Sequence, residues 1–408
     1  MSLPQGTTVA HVIARLNVGG AAVQVMSAVE GLRDERYRTL LLVGELPPGE
    51  TSMEYMAEAR GLEITRIDGM SREISWSDDF RALLQLVRIF RRERPLIVHT
   101  HTAKAGTLGR IASLLAGVPI RVHTFHGHVF EGYFSSLATR IFVFIERMLA
   151  RVTDCIVTVT ESQRHDLVSK YRIAPAEKIV AIPYGFDLQR FLDVDGRRVV
   201  FRKHLSVGPQ QTLIGWIGRL TPIKAPELLI DAAAKLRSDP EIRFVMIGDG
   251  ELREACEAQV SRDGLGSKVA ITGWMKNLES LYADLDLVVL TSINEGSPMA
   301  LLEAMASAKA FIATDVGGVR DLMAGSATNK DGMQIFDNGI LVSRDPRLLA
   351  KAIEFLVHNP QLRTAMGENG RRLASARYSM HRLTQSLDGL YTQLASSKGQ
   401  LTLTVPST

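Results

Sequence analysis

Two cysteines in 408 residues, Cys155 and Cys256, exclude a disulfide framework, and no metal-type spacing joins them. Both thiols are expected to be buried as small hydrophobes in a reducing compartment. No uncharged apolar run approaches the eighteen or so residues that a spanning helix needs, and Met1 to His11 lacks the basic and apolar blocks of a signal peptide. A cytoplasmic protein is expected. The formal net charge of +4 is modest; it favours anionic partners and gives no special indication of nucleic acid. An apolar fraction of 46% and a charged fraction of 23% are ordinary for a globular chain, and the length exceeds what one core usually organises.

Short β-type apolar runs alternate with helical stretches. "VAHVIA", "RTLLLVG", "LIVHTH", "RVHTFH" and "CIVTVT" read as strands of a first domain. "TLIGWIG", "IRFVMIG", "KVAITG", "LDLVVLTS" and "AFIATDVGG" read as strands of a second. The turn-rich "IPYGFDLQRFLDVDGRR" should join them. A helix is expected from about Ser77 to Arg94 with Phe80, Leu83, Leu84, Val87 and Phe90 as its apolar stripe. The fold class is therefore α/β, two Rossmann-like domains with parallel sheets and a cleft between them. The expected boundaries are 1–188 for the acceptor side, 189–378 for the donor side, 379–396 for a C-terminal helix crossing back to the first domain, and 397–408 for a loose tail. Leu383, Leu387, Leu390, Tyr391 and Leu394 should form the packing face of that last helix. Ligands of such sheets sit at the strands' carboxyl ends.

In "NEGSPMALLEAMASA", Glu303 is flanked by Leu301, Leu302, Ala304, Met305 and Ala306, so no turn of the helix hands its carboxylate cleanly to water. Ser297 and Pro298 read as N-cap and first helical residue, and the free N–H groups of Met299 and Ala300 as an anion site. Glu295 lies just outside that mouth and Glu303 roughly 7 to 8 Å along the helix. A nucleoside diphosphate sugar fits this layout, with ribose hydroxyls on Glu303. The alternative, an arginine partner for Glu303 inside the domain, stays open. In "GWIGRLTPIKAPELL", Arg219 and Lys224 follow a strand and would meet a diphosphate; the alternative is a pair of solvated charges.

"IGDGELR" lacks the third glycine of a dinucleotide fingerprint and reads as a tight turn. Gly19 and Gly20 of "LNVGGAAVQV" stand between a strand and a helix, where backbone can approach a ligand. Asp284 with Asp286 and Asp193 with Asp195 are expected to cap or be solvated, with no metal bound. "HTFHGHVF" has no partner at zinc-ligand spacing; His126 ends its strand, where a hydrogen bond to a substrate hydroxyl and a structural role are both open.

Together, "LNVGGAAVQV", "VHTFHG", "IPYGFD", "IGRLTPIKAPELLIDAAAKL", "IGDGELR", "NEGSPMALLEAMA", "DVGGVRDL" and "DNGILV" resemble the retaining glycosyltransferases of family 4, whose two-domain architecture is called GT-B. The resemblance implies that Glu303 holds the ribose, Glu295 contacts the donor sugar, and Arg219 with Lys224 neutralises the diphosphate. It also implies that His126 touches the sugar's hydroxymethyl group and that Gly19 and Gly20 approach the phosphate. Gly218, Gly296, Ser297, Pro298, Met299 and Ala300 complete the expected donor-binding set. Ala225 replaces a glycine common after the lysine, Asp321 a common glutamate, and 324–336 reads as a longer loop than usual.

The implied activity is transfer of a sugar, most simply from a UDP-sugar, to a hydroxyl of a lipid-linked or cell-surface glycan precursor. The configuration would be retained, with no cofactor and no metal. A sugar-nucleotide epimerase of the same architecture, or a silent nucleotide-sugar-binding subunit, is the alternative. Finally, "GYFSSLATRIFVFIERMLARV" should be a helix with Phe134, Leu137, Ile141, Ile145 and Met148 on one stripe, widened by Phe142, Phe144 and Leu149. It packs on the sheet, or rests with Arg140, Arg147, Arg151, Lys104 and Arg110 on an anionic membrane surface, which would place the protein peripherally on the inner face.

Overall fold

The computed structural model describes residues 3–47, 50–71, 75–127, 136–192, 200–275 and 277–401. The chain divides into two compact units, Met1–Phe186 together with Ser379–Thr408, and Asp187–Tyr378.

In the first unit the strands are β1 (Thr7–Ile13), β2 (Tyr37–Val43), β3 (Ile64–Arg66), β4 (Ile97–His101), β5 (Ile120–Phe125), β6 (Cys155–Thr158) and β7 (Ile179–Ala181). They form one parallel sheet in the order β3-β2-β1-β4-β5-β6-β7. The strand order reverses between β1 and β4, which opens a crevice at their carboxyl ends. Helices α1 (Gly20–Gly31), α2 (Glu54–Ala59), α3 (Trp76–Glu93), α4 (Ala103–Leu115), α5 (Ser136–Arg151) and α6 (Glu161–His165) make the crossovers.

In the second unit β8 (Thr212–Ile217), β9 (Ile242–Ile247), β10 (Val269–Gly273), β11 (Leu287–Leu290), β12 (Ala310–Thr314), β13 (Thr328–Lys330), β14 (Met333–Ile335) and β15 (Gly339–Val342) form an eight-stranded sheet. Its order is β10-β9-β8-β11-β12-β15-β14-β13. The helices are α7 (Gln189–Leu192), α8 (Val200–His204), α9 (Pro226–Lys235), α10 (Arg253–Arg262), α11 (Leu278–Asp284), α12 (Met299–Ala306), α13 (Pro346–Val357) and α14 (Pro360–Arg377). The last helix, α15 (Met380–Ser397), belongs to the first unit. Ser379 caps it by accepting the Arg382 amide, and Leu383, Leu387, Leu390 and Tyr391 are buried among Val9, Ala28, Leu32 and Val122. At Gly31 an added Cβ would stand 2.2 Å from Thr384 Oγ1, so the bare glycine of α1 makes room for the Thr384 side chain of α15.

Three expectations change. The segment 324–336 contains an antiparallel hairpin, β13 paired with β14, that extends the sheet beyond β15. Its two-residue turn, Asp331 and Gly332, has φ of 55° and 84°, the left-handed pair that such a hairpin needs. Helix α3 buries Ala82, Leu86, Val87, Ile89 and Phe90, while Phe80 and Leu84 of the expected stripe stand exposed beside Trp76. In α5 the buried positions are Val143, Glu146, Leu149 and Ala150; Leu137, Ile141, Phe144 and Met148 face out. Phe134 lies outside the described residues.

Candidate functional site

The second unit gathers most of the expected site residues at the carboxyl ends of β8 and β11. Beyond β8, Gly218 donates its amide to Ile247 (3.0 Å) and Leu220 to Asp249 (3.0 Å), while Leu252 donates back to Leu220 (2.9 Å). Gly248 and Gly250 have φ of 147° and 154°, and a Cβ on them would stand 1.8 Å from the Gly218 oxygen and 2.5 Å from the Leu220 oxygen. The "IGDGELR" stretch is thus more than a turn. It clamps the loop that carries Arg219, a role the missing third glycine concealed.

Arg219 is half-buried, and its guanidinium meets no hydrogen-bond or ion-pair partner among the described residues. Lys224 ends a 3-10 turn, after which Ala225 takes a left-handed φ of 45°. That conformation is why glycine suits the position. Lys224 Nζ lies 2.5 Å from Glu295 Oε1, which also accepts the Ser292 hydroxyl at 2.6 Å. The lysine's backbone is held from the same strand end: Thr291 Oγ1 donates to the Lys224 oxygen at 2.8 Å, and Trp216 Nε1 donates to Thr291 at 2.8 Å. The solvated-charge alternative fails for Lys224, which is tied into the strand ends. Gly317, with φ of 49°, leaves room for the Glu295 carbonyl, from which a Cβ would stand 2.1 Å away.

Helix α12 starts one residue later than expected. Pro298 is its N-cap and no side chain caps it, so Ser297 does not act as the cap. The Ser297 hydroxyl is buried without a partner among the described residues. Leu301 and Leu302 both donate to the Pro298 oxygen, which leaves the amides of Met299 and Ala300 open at the helix's positive end. Gly296 and Pro298 are buried and shape the approach to it.

Glu303 is 9% exposed, and among the described residues no arginine hydrogen-bonds to it; Arg190, paired with Glu279, acts on it only through space. Glu303 Oε2 accepts the Tyr282 hydroxyl at 2.9 Å. Burial pushes the carboxyl up from 4.5 to about 7, against the lowering influence of Tyr282. A direct arginine pair is thus not seen among the described residues. A carboxyl raised in the folded state binds its proton more tightly there, so its contribution to stability falls as pH rises from 4.5 to about 7. Five buried histidines pull the other way below their usual range. Comparing wild type with Glu303→Gln cancels them. The variant's melting temperature is expected to gain on the wild type between pH 5 and pH 8, measured without nucleotide. A constant gap would remove Glu303 as the source.

The first unit carries Gly19, Gly20 and His126. Gly19 is the N-cap of α1 in extended backbone, and a Cβ there would meet nothing within 4 Å, so that approach is open. His126 has both ring nitrogens engaged: Nε2 with His101 Nδ1 at 3.0 Å and Nδ1 with the Tyr184 hydroxyl at 3.1 Å. The row continues from His101 Nε2 to His11 Nδ1 at 3.1 Å. Burial pushes His11 and His126 down to about 3. These are neutral, structurally committed rings, and a substrate hydroxyl would have to displace Tyr184.

Asp284 is fully buried, not solvated, and accepts the amides of Phe201 (2.6 Å) and Arg202 (3.0 Å). Asp286 pairs with Arg202 at 2.8 Å and accepts the Leu213 amide at 2.8 Å. Both hold α8 against the sheet's entrance. Asp193, Asp195 and His128 lie outside the described residues. Among the described residues one group has metal-ligand proximity, His11, His99 and His101, with ring nitrogens within 4.8 Å of one another. No carboxylate or thiolate joins it, and His99 already meets Tyr391 and Thr124, each at 2.6 Å. A divalent charge there would be buried uncompensated.

Residues 200–373 match the model of the family described as glycosyl transferases group 1, and residues 19–185 that of the glycosyl transferase 4-like domain. The chain is 30% identical over 302 residues to a D-inositol 3-phosphate glycosyltransferase of Kineococcus radiotolerans, covering 68% of this chain and 67% of that protein. It is 29% identical over 288 residues to the UDP-Gal:alpha-D-GlcNAc-diphosphoundecaprenol alpha-1,3-galactosyltransferase of Escherichia coli, covering 69% and 74%. The crystal structure of Anabaena HepE in complex with UDP-glucose superimposes with a TM-score of 0.77 at 21% identity, over 97% of this chain and 100% of that one.

Proposed function

The chain belongs to the GT4-type glycosyltransferases with the GT-B fold, and on that premise we propose that it moves a hexose from a UDP-sugar, with retention and without a metal, to a hydroxyl of a lipid-linked saccharide. The observation that carries the donor reading is Glu303, a buried carboxyl whose one side-chain hydrogen-bond donor among the described residues is the Tyr282 hydroxyl. Two vicinal ribose hydroxyls are the donors it lacks. The diphosphate then falls to Arg219, Lys224 and the amides of Met299 and Ala300, which stabilise charge on the leaving group as the anomeric bond breaks. Ser297 Oγ offers one more hydrogen bond. Glu295, already on Lys224, orients the sugar. The acceptor hydroxyl attacks from the leaving group's own face and passes its proton to a phosphate oxygen, so no separate protein base is required. UDP is favoured because the Escherichia coli relative is named for UDP-Gal and HepE is described with UDP-glucose.

A lipid-linked acceptor is favoured by that relative's diphosphoundecaprenol substrate and by the surface of the first unit. Among the described residues no helix is long and apolar enough to cross a membrane. Yet eleven large apolar side chains of the described residues are exposed, and nine lie on α3, α4 and α5: Trp76, Phe80 and Leu84, Leu114 and Leu115, and Leu137, Ile141, Phe144 and Met148. Exposed Arg88, Arg140, Arg147 and Arg151 accompany them. Two basic residues of the expected membrane face do not take part. Arg110 is fully buried against Glu146, and Lys104 pairs with Asp79. The reading is of a protein resting on the cytoplasmic face of an anionic bilayer.

The test is transfer from UDP-hexoses to a lipid-linked saccharide in anionic and neutral vesicles, in the presence of a chelator. Transfer with an α-linked product from an α-linked donor, faster on anionic vesicles at low salt, is expected. Conversion of donor alone would make it an epimerase. Rescue of a chelated enzyme by magnesium or manganese would overturn metal independence.

A further inference from the structure

A groove of about 690 Å³ lies where α5 ends, lined by Arg147, Arg151, Arg172 and Lys178, with an apolar floor that includes Val168 and Ile173. Glu177 is the one acid lining it, so four cations meet one anion. The C-terminal partial charge of α5, about half a unit, does not offset that excess. Lys178 Nζ already covers one terminal carbonyl, Ala150 O, at 2.8 Å, and Arg147 is braced on the Tyr171 oxygen at 2.7 Å. These two are held in place. Arg151 and Arg172 are exposed and meet no partner among the described residues.

The groove is continuous with the apolar stripe. Leu137, Ile141, Phe144, Met148 and Arg151 follow one another at helical spacing along the outer side of α5, so the stripe runs into the cations. A ligand matching both is an anion attached to an apolar chain. Because α5 ends where β6 begins, and residues 172–178 lead directly into β7, the groove sits at the amino ends of the strands. The chemistry of such sheets takes place at their carboxyl ends. The occupant is thus an anchor and not the acceptor.

We propose that this groove is a discrete site for the phosphate of a bilayer phospholipid, which pins the C-terminal end of α5 while Phe144 and Met148 enter the acyl region. The proposal rests on the membrane reading above and sharpens it from diffuse attraction to a stoichiometric site. Dihexanoyl phosphatidylglycerol below its micelle concentration, titrated into the full-length protein at low salt, separates the two. Saturable binding of one molecule per chain is expected. Arg151→Ala with Arg172→Ala should weaken it by about tenfold or more, since each basic residue near an anionic surface counts for roughly a fivefold change. Arg88→Ala with Arg140→Ala removes the same charge outside the groove and should leave binding nearly unchanged.

Equal losses in the two double variants, or no saturable binding, would overturn the site. Inorganic phosphate binding as tightly as the lipid would reassign the groove to free phosphate and overturn it too. The vesicle arm keeps the broader reading separable: vesicle binding that survives Arg151→Ala with Arg172→Ala but fails in Phe144→Ser rejects the groove and retains the membrane face.

Discussion

Lys224→Ala is expected to lower turnover by about 10²–10³-fold, the usual loss when one preorganised donor to a developing anion is removed. In the ligand-free protein the lysine is compensated by Glu295 at 2.5 Å, so its charge is shared until the diphosphate arrives. Arg219 has no such competitor among the described residues, and its whole charge is available to the ligand. Arg219→Ala should therefore reduce affinity for UDP more than Lys224→Ala does, while Lys224→Ala reduces turnover at saturating donor. Neither should much affect UMP, which lacks the distal phosphate. Calorimetry with UDP and UMP, alongside turnover at saturating UDP-hexose, makes the comparison. Parallel losses for UMP and UDP would move both residues away from the diphosphate.

Glu146→Ala is expected to cost about 3–5 kcal/mol of stability, because it strands a buried guanidinium. Arg110 is fully buried and meets Glu146 through two contacts of 2.8 and 3.0 Å, with its Nε on the Gly106 oxygen at 2.7 Å. Burial lowers its pKa, and the carboxylate opposes that. The pair ties α4 to α5 beneath the exposed stripe, so its loss should also loosen the proposed membrane face. Replacing both partners, Arg110→Met with Glu146→Leu, should recover most of the stability, since a hydrophobic pair avoids the desolvation of two charges. Denaturant midpoints for the two variants decide it. A cost near zero for Glu146→Ala would mean that water reaches Arg110.

Much of this architecture is legible in the sequence because strand burial is a local property. Ten apolar runs mark ten of the fifteen strands among the described residues, and those buried on both faces leave near-continuous stretches that chance rarely imitates. Of the five others, β3, β7, β13 and β14 are only three residues long, too short for periodicity to register, and β15 has four; Asp331 and Gly332 nonetheless advertise the hairpin turn. Glu303 is legible for the same local reason: its helical neighbours are apolar, so its burial follows from the chain itself.

Partnership is not local. Lys224 and Glu295 stand 71 residues apart, and His11 and His101 stand 90 apart. They meet because parallel strands bring distant carboxyl ends into register. Nor does the pattern of α5 say which of its sides faces the sheet. Its apolar arc, which holds Leu137, Ile141, Phe144 and Met148, would be taken for the packing side, yet the buried side is the one where Glu146 finds Arg110, leaving Phe144 and Met148 outside. The chain's own periodicity thus determined the strands, the helices and the buried carboxyl. Which charges are paired, which apolar face is left exposed, and that Ser297 does not cap its helix were decided by tertiary structure, because each depends on a partner that sequence distance conceals.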